Sequence, residues 1–142
     1  MLQRPLKKQE SAGTAPSPDA MTAACVNELM NARTSFHKLH LKVKGTGAYA
    51  AHVALNELYD ALPGHADGLA EGYQGATEKL LDIPDSTPKK LGSVEEAISY
   101  LNMLTDMVTD LQSKMPFSEI VNDLDNVKST FNSARYKLIF LK

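Results

Sequence analysis

Apolar side chains recur every three or four residues over most of this 142-residue chain. That spacing puts them on one face of an α-helix, whereas a half-buried strand would alternate at every second residue. No stretch has a convincing strand pattern, and the pattern predicts four amphipathic helices. The four apolar stripes are Met21, Cys25, Leu29, Ala32, Phe36, Leu39 and Val43; Tyr49, His52, Leu55, Tyr59, Leu62, Ala66 and Leu69; Val94, Ala97, Leu101, Leu104, Val108, Leu111 and Met115; and Ile120, Leu124, Val127, Phe131, Ala134, Leu138 and Leu141.

Residues that start and stop helices set the expected bounds of the first two elements. Asp19, a good N-cap that follows a proline, predicts where the first helix begins. The Gly-Thr-Gly sequence at 45–47 ends that helix, and a second helix is expected over about 48–73, with two glycines marking its end. Pro63 interrupts the second stripe and predicts a kink or a local break, because proline lacks an amide hydrogen.

The segment between the two halves of the chain is long and rich in helix breakers. Residues 76–92 hold two prolines and a glycine, with room for a short helix over Ala76–Asp82. Ser93 then opens a capping box, and Pro116 separates the third helix from the fourth. The segment exceeds what an antiparallel hairpin needs and is long enough to travel the length of a bundle. The predicted fold class is therefore all-α, a four-helix bundle with a long crossover between helices 2 and 3.

Composition narrows the class of protein. A chain of this length with 43% hydrophobic residues forms one domain with a real core. The formal net charge of −2 argues against a surface devoted to nucleic acid, and the single cysteine, Cys25, rules out an intrachain disulfide framework. No signal peptide is evident, and no apolar run approaches the roughly 20 residues that span a bilayer. We therefore expect a soluble, cytoplasmic protein.

The first 18 residues differ from the rest. They are rich in Pro, Ser, Gly and Ala, lack periodicity, and are expected to form a flexible tail before a helical body at 19–142. The tail carries three basic residues and one acidic residue, a charge of +2, which leaves −2 − 2 = −4 on the body. A basic arm of this kind can contact DNA phosphates, and it can equally be a solvated terminus. A third hypothesis makes the chain an interaction module that acts through this arm alone.

Imidazoles and carboxylates are spaced along the second helix. At about 100° per residue, His52, Asn56, Asp67 and Glu71 lie roughly along one face, provided that the kink at the proline is mild. His40 lies beside the buried stripe of the preceding helix. Iron accepts imidazole nitrogen and carboxylate oxygen together, so this set is a candidate iron site. Histidines in helices also serve as purely structural residues, and the spacing alone leaves both interpretations open.

The stretch His37–Gly75, HKLHLKVKGTGAYAAHVALNELYDALPGHADGLAEGYQG, resembles the first two helices of Dps-type miniferritins. The resemblance implies a ferritin-like bundle in which His40 and His52 of one chain face Asp67 and Glu71 of a neighbour across a two-fold interface. It implies a ferroxidase that binds Fe2+, stores Fe3+ and protects DNA from oxidative damage. It also implies a homo-oligomer, a shell of twelve subunits. His65 is a candidate neighbour of the ligands on the Asp67 side.

Three departures from that family support a second hypothesis. Asn56 stands where the family has a carboxylate ligand, Leu41 replaces a tryptophan, and Pro63-Gly64 falls between the two ligand pairs. A neutral amide oxygen binds iron more weakly than a carboxylate. The alternative is a Dps-like scaffold with a degenerate site, serving as a structural or DNA-associated protein. The ending Ala134–Lys142 resembles Dps-like proteins of large tailed phages, which would place the chain in a virion or a host cytoplasm.

Overall fold

The computed structural model describes residues 15–142, and that part of the chain is all-helical, without strands. The four helices are α1 (Pro18–His40), α2 (Ala48–Thr77), α3 (Val94–Lys114) and α4 (Ser118–Phe140). The four-helix prediction is confirmed. Among the described helices, none is long and apolar enough to cross a membrane. Residues 1–14 of the expected tail lie outside the described residues.

The N-cap of helix α1 lies two positions earlier than predicted, at Ser17 rather than at Asp19. The Ser17 hydroxyl accepts a hydrogen bond of 3.1 Å from the amide of Ala20, and Pro18 occupies the first helical turn. Proline is well suited to that position, where an amide hydrogen would have no helical partner. Asp19 instead accepts hydrogen bonds from the Tyr73 hydroxyl and, at 2.7 Å, from the Lys79 ammonium. These two contacts fasten the start of α1 to the end of α2.

Helix α2 is one continuous helix of 30 residues, so of the kink or local break predicted at Pro63 the break is wrong. The helix also passes through Gly72 and Gly75 and ends only at Glu78, whose φ of 57° is left-handed. The short helix predicted over Ala76–Asp82 is absent, because Ala76 and Thr77 belong to α2 and the residues that follow are not helical. The buried face of α2 stabilises the helix across these weak formers, as tertiary packing usually outweighs intrinsic propensity.

The helices form a bundle in which each packs against two others. Helix α1 contacts α2 and α3, and α4 also contacts α2 and α3, so that α2 and α3 lie across a diagonal. Neighbouring helices run antiparallel, as the pairs Glu57–Lys137 and His65–Thr130 show for α2 and α4. The core between them is apolar; its largest fully buried side chains are Tyr100, Phe36, Phe131, Leu29, Leu39, Leu55, Leu58, Leu62, Leu101, Leu104, Leu111 and Ile120.

The link between α2 and α3, residues 78–93, is hydrogen-bonded to α1 at successive positions along that helix. The side-chain amides of Asn27 and Asn31 each donate to the Ser86 hydroxyl at 2.8 Å. Nearer the end of α1, the Ser35 hydroxyl donates to the Lys89 carbonyl at 2.6 Å. Beyond α1, the Lys42 ammonium donates to the Leu91 carbonyl at 3.0 Å. The link therefore follows α1 towards its C-terminal end, where Ser93 caps α3.

Candidate metal centre

A tight turn between α1 and α2 positions the two candidate histidines. The turn residues Gly45 and Gly47 have φ values of 91° and 81°, which favour glycine. A Cβ atom on Gly47 would also lie 3.1 Å from Cα of Lys142. The turn ends α1 at His40 and starts α2 at Ala48, so His52 lies one turn into α2 and faces His40. The glycines thus bring together two residues that are twelve apart in sequence.

His40 and His52 hold each other in a reciprocal arrangement. Nδ1 of His40 lies 2.7 Å from the His52 carbonyl oxygen, and Nδ1 of His52 lies 2.9 Å from the His40 carbonyl oxygen. The two rings stack with centroids 3.6 Å apart and an angle of 18° between their planes. Because a carbonyl oxygen only accepts, each Nδ1 must carry a hydrogen and donate it. In the neutral imidazoles, each Nε2 is then the nitrogen with an available lone pair.

The Nε2 atoms of this pair are the ring nitrogens that the reciprocal contacts leave unused. Neither makes a hydrogen bond with a described residue, yet the only fully buried and unpartnered side-chain polar atom in that part of the chain is Oγ1 of Thr22. Neither Nε2 is thus among the fully buried, unpartnered atoms of residues 15–142, although His40 as a residue is only 7% exposed. A hydrogen bond from Nδ1 to a carbonyl is the usual way in which proteins orient a histidine that binds a metal through Nε2.

Asn56 lies one turn beyond His52 and has both ends of its amide engaged. Its Oδ1 accepts a hydrogen bond of 2.9 Å from the Tyr59 hydroxyl, and its Nδ2 donates to Oδ2 of Asp60 at 2.8 Å. These partners define which end of the amide is oxygen, because a hydroxyl can donate and a carboxylate can only accept. The side chain is thus part of a network along α2.

Tyr59 and His37 pack at the histidine pair; a position near the candidate site was expected for Tyr59 but not for His37. The Tyr59 ring stacks on His37, with centroids 4.1 Å apart, and meets His40 edge-on at 5.2 Å. His37 is half-buried, although it lies off the apolar stripe of α1 and a solvated side chain is expected there. The available signal was spacing: His37 precedes His40 by three residues and Tyr59 follows His52 by seven. Tyr49, expected on the packed stripe, is instead 80% exposed.

The carboxylates of Asp67 and Glu71 lie elsewhere on the same chain. Both are exposed on α2 and make no hydrogen bond or ion pair with another described residue. Fifteen residues of helix separate Asp67 from His52, a rise of about 22 Å. Within residues 15–142, no three His, Cys, Asp or Glu residues are placed to hold a metal ion together. One chain therefore unites the two histidines and leaves the two carboxylates distant from them.

His65 has a different environment from the pair. Its Nε2 lies 2.8 Å from Oγ1 of Thr130, which joins α2 to α4. Partial burial lowers the pKa of His65 below its ordinary value. The contact with α4 accounts for the orientation of the His65 ring. The sequence predicted that His65 supports the metal ligands, but in the described part of the chain it does not join a cluster of potential metal ligands.

Comparisons with known proteins find a family and a distant relative. The chain is 26% identical, over 95 residues, to the DNA protection during starvation protein of Helicobacter pylori (strain J99 / ATCC 700824). The match covers 67% of this chain and 59% of that protein, so the chain spans somewhat over half the length of this relative. No solved structure matches significantly. Residues 40–138, well over half of the chain, match the family of unknown function DUF5856, and the chain therefore belongs to that family.

Proposed function

We propose that this protein is a Dps-like miniferritin whose His40/His52 pair binds ferrous iron at an interface between two copies of the chain. The observation that carries the proposal is the reciprocal hydrogen bonding of the two imidazoles through Nδ1, which leaves both Nε2 atoms without a hydrogen-bond partner among residues 15–142. Ferrous iron is the substrate; an oxidant accepts its electrons, and the ferric product is stored. The bundle is then of the ferritin-like type, with the link as its crossover connection.

Each residue of the site has a distinct role in this proposal. The main-chain carbonyls that accept from Nδ1 fix the ring orientation and raise the basicity of Nε2. The two Nε2 atoms supply neutral donors, and Asp67 and Glu71 of a second copy supply the negative charge that ferric iron requires. Tyr59 packs against His40 and holds Asn56, which limits water access to one side of the pair.

The proposed site requires the carboxylates of one copy to lie beside the histidines of another. Pairing of α2 with α2 of a second copy about a two-fold axis provides that arrangement. If His52 of one chain faces Asp67 of the other, the midpoint lies at (52 + 67)/2 = 59.5, which puts the axis beside Asp60. The exposed surface of α2 includes Tyr49 and Val53, which are 80% and 37% exposed. Burial of such apolar area drives association, and a two-fold interface would bury it twice.

The wider function follows from the relative and the site together. A relative described as a DNA protection during starvation protein supports a role in limiting oxidative damage to DNA. A shell of twelve subunits would provide the cavity for ferric mineral, and the cytoplasm is the compartment in which such protection acts. These are proposals for this chain, and the oligomer is measured directly by mass.

Oxidation of ferrous iron with peroxide, followed by absorbance, tests the proposal. The variants His40→Asn and His52→Asn keep an amide N–H where Nδ1 donates but lack Nε2. Each is expected to slow oxidation strongly while the assembly keeps its mass. His65→Asn is the matched control, since His65 lies against α4, and it should leave oxidation unchanged.

A mixing experiment tests whether the site is shared. One partner carries His40→Asn and His52→Asn, and the other carries Asp67→Asn and Glu71→Gln. Each alone should be inactive, whereas a refolded mixture should recover about a quarter of the wild-type sites, because half of random two-fold pairs are mixed and each holds one intact site. No recovery from intact assemblies would contradict the shared site.

The second candidate function is a scaffold without iron chemistry. The engaged amide of Asn56 favours it, because the position that should bring a carboxylate to the histidines has a neutral group bonded to Tyr59 and Asp60. Such a protein would assemble and contact DNA or other virion components. Intact assemblies that take up no iron above background would favour this function over the first.

A further inference from the structure

An apolar groove lies between α1 and α3, near the start of α1, whereas the histidine pair lies at the other end of that helix. The groove has a volume of about 370 Å3, and its apolar lining is Met21 and Ala24 of α1 with Met103, Met107 and Leu111 of α3. Methionine side chains are flexible and polarisable, and surfaces rich in them adapt to apolar segments. The groove is therefore a candidate docking site for such a segment.

Two carboxylates border the groove on the α3 side, those of Asp106 and Asp110. Both residues are exposed, and neither side chain forms a hydrogen bond or an ion pair with another of residues 15–142. Their spacing at i, i+4 puts two like charges side by side on α3, an arrangement that destabilises a helix. An occupant that carries positive charge would relieve this repulsion.

Residues 1–14 combine the two properties that the groove requires. Their charged and large apolar side chains are Arg4, Lys7, Lys8, Glu10, Met1, Leu2 and Leu6. The net charge of the segment, +3 − 1 = +2, is opposite to that of the two carboxylates. Leucines interspersed with basic residues match a groove with an apolar floor and an acidic border, as in other complexes in which an amphipathic segment binds a groove.

The segment also joins the bundle beside the groove. Ser17 is the N-cap of α1, and Met21 lies about one turn further along that helix. Fourteen residues reach at most about 45 Å when extended, whereas Met103 and Leu111 are separated by a rise of about 12 Å along α3. The whole groove is thus within reach of the segment.

We propose that residues 1–14 dock into this groove, with Leu2 and Leu6 against the methionines and the basic side chains beside Asp106 and Asp110. The docking depends neither on iron chemistry nor on the histidine pair. Its basic side chains are also those of the proposed DNA contact, so a docked segment is withheld from DNA.

Oxidation of methionine by dilute peroxide tests the inference in the full-length protein, with a chelator present and the products located by mass spectrometry. A covered thioether is oxidised more slowly than an exposed one. Met103 and Met30 are 48% and 43% exposed, and Met30 does not line the groove, so it is the internal control. Wild type should oxidise Met103 several-fold more slowly than Met30. In Leu2→Ser/Leu6→Ser the two rates should become similar.

A second pair of variants tests the charge at the groove. Asp106→Asn/Asp110→Asn should speed the oxidation of Met103 relative to Met30, because the basic side chains lose their partners. Glu95→Gln/Asp123→Asn is the matched control: it removes the same charge from two exposed carboxylates outside the groove and should keep the wild-type ratio of rates. Circular dichroism confirms that each variant is folded.

A ratio of Met103 to Met30 oxidation that is the same in wild type and in Leu2→Ser/Leu6→Ser would overturn the inference. A Met103 rate that falls with rising protein concentration, equally in both proteins, would assign the groove to a second copy of the chain and would overturn it as well. Since the readout uses neither ferrous iron nor DNA, failure of the proposed function would leave the docking standing.

Discussion

Asn56 combines a structural contact with a missing charge. Its amide donates to Asp60 and accepts from Tyr59, so the residue stabilises the surface of α2 while it leaves the histidine pair without a carboxylate. A carboxylate in its place could still accept from the Tyr59 hydroxyl but could not donate to Asp60. Stability and metal affinity therefore make opposite demands at this position.

Asn56→Asp is expected to raise ferrous-iron affinity and to lower the free energy of unfolding. The new carboxylate supplies a ligand, but it cannot form the hydrogen bond to Asp60 and repels it at i, i+4 spacing, a destabilisation of about 1 kcal/mol. The double variant Asn56→Asp/Asp60→Asn should recover the stability, because the amide at position 60 can donate back. Denaturant unfolding and iron titration measure both effects. Equal stability of the single and double variants would contradict the role assigned to Asp60.

The sequence was a good guide to single residues where periodicity applied, and a poor one where two elements meet. The facing of His40 and His52 depends on the turn, and their reciprocal bonds to main-chain carbonyls have no sequence signature. The stacking of Tyr59 on His37 likewise depends on how α1 and α2 are rotated about their axes. The roles of Asp67 and Glu71 depend on a second chain, so they remain predictions.

At the scale of elements, α2 shows how packing overrides local preference. Pro63 predicted a kink or a local break, and Gly72 and Gly75 predicted an earlier end, yet α2 runs without a break to Thr77. Pro63 and Gly64 are exposed, while Leu58, Leu62 and Leu69 are buried against the neighbouring helices. The proline and its neighbouring glycine thus lie on the face that makes no core contact, and the buried face holds the helix together.

The contact between α2 and α4 predicts a dependence of stability on pH. Burial lowers the pKa of His65, so the unfolded chain binds a proton more readily than the folded chain. The stabilisation is complete above the unfolded pKa of about 6.5 and is lost as pH falls through the lower folded value. Denaturant unfolding at pH 7.5 and 5.5 should show a smaller decrease for His65→Gln, which cannot titrate, than for wild type.

Asp19 does not titrate between pH 7.5 and pH 5.5, so its contribution to stability is constant across these measurements. The hydrogen bonds from Lys79 and Tyr73 lower the pKa of Asp19 below 3.8, so the stability that it contributes is lost only in stronger acid. An equal decrease in wild type and His65→Gln would show that His65 does not sense pH in this range.

At the scale of the whole molecule, the N-terminal segment and the helical body have opposite charges. Residues 1–14 carry all four charged groups of the segment, +3 − 1 = +2, against −4 for the remainder. The proposed DNA contact therefore depends on this segment. Deleting 1–14, rather than 1–18, keeps Ser17 as the N-cap of α1 and so leaves the bundle undisturbed.

DNA binding measured over a range of salt concentrations checks this expectation. Full-length protein should bind weakly, with an affinity that falls as salt rises. The deletion should reduce the logarithmic salt slope by up to about 3 per chain, because each phosphate that the segment neutralises adds about 0.9 to that slope. Iron oxidation should be the same in both proteins. An unchanged salt slope would place any DNA contact on the helical body.

The attachment of the link to α1 has a consequence for how the chain folds. The pairs α1–α2 and α3–α4 are helical hairpins with contacts close in sequence, so each can form rapidly. Joining them requires a diffusive search whose probability falls as the tether lengthens. If the hydrogen bonds from α1 to Ser86 and Lys89 form before α3 packs, they shorten that tether and hold Ser93 near the end of α1. We therefore expect the attached link to raise the local concentration of one hairpin for the other during folding.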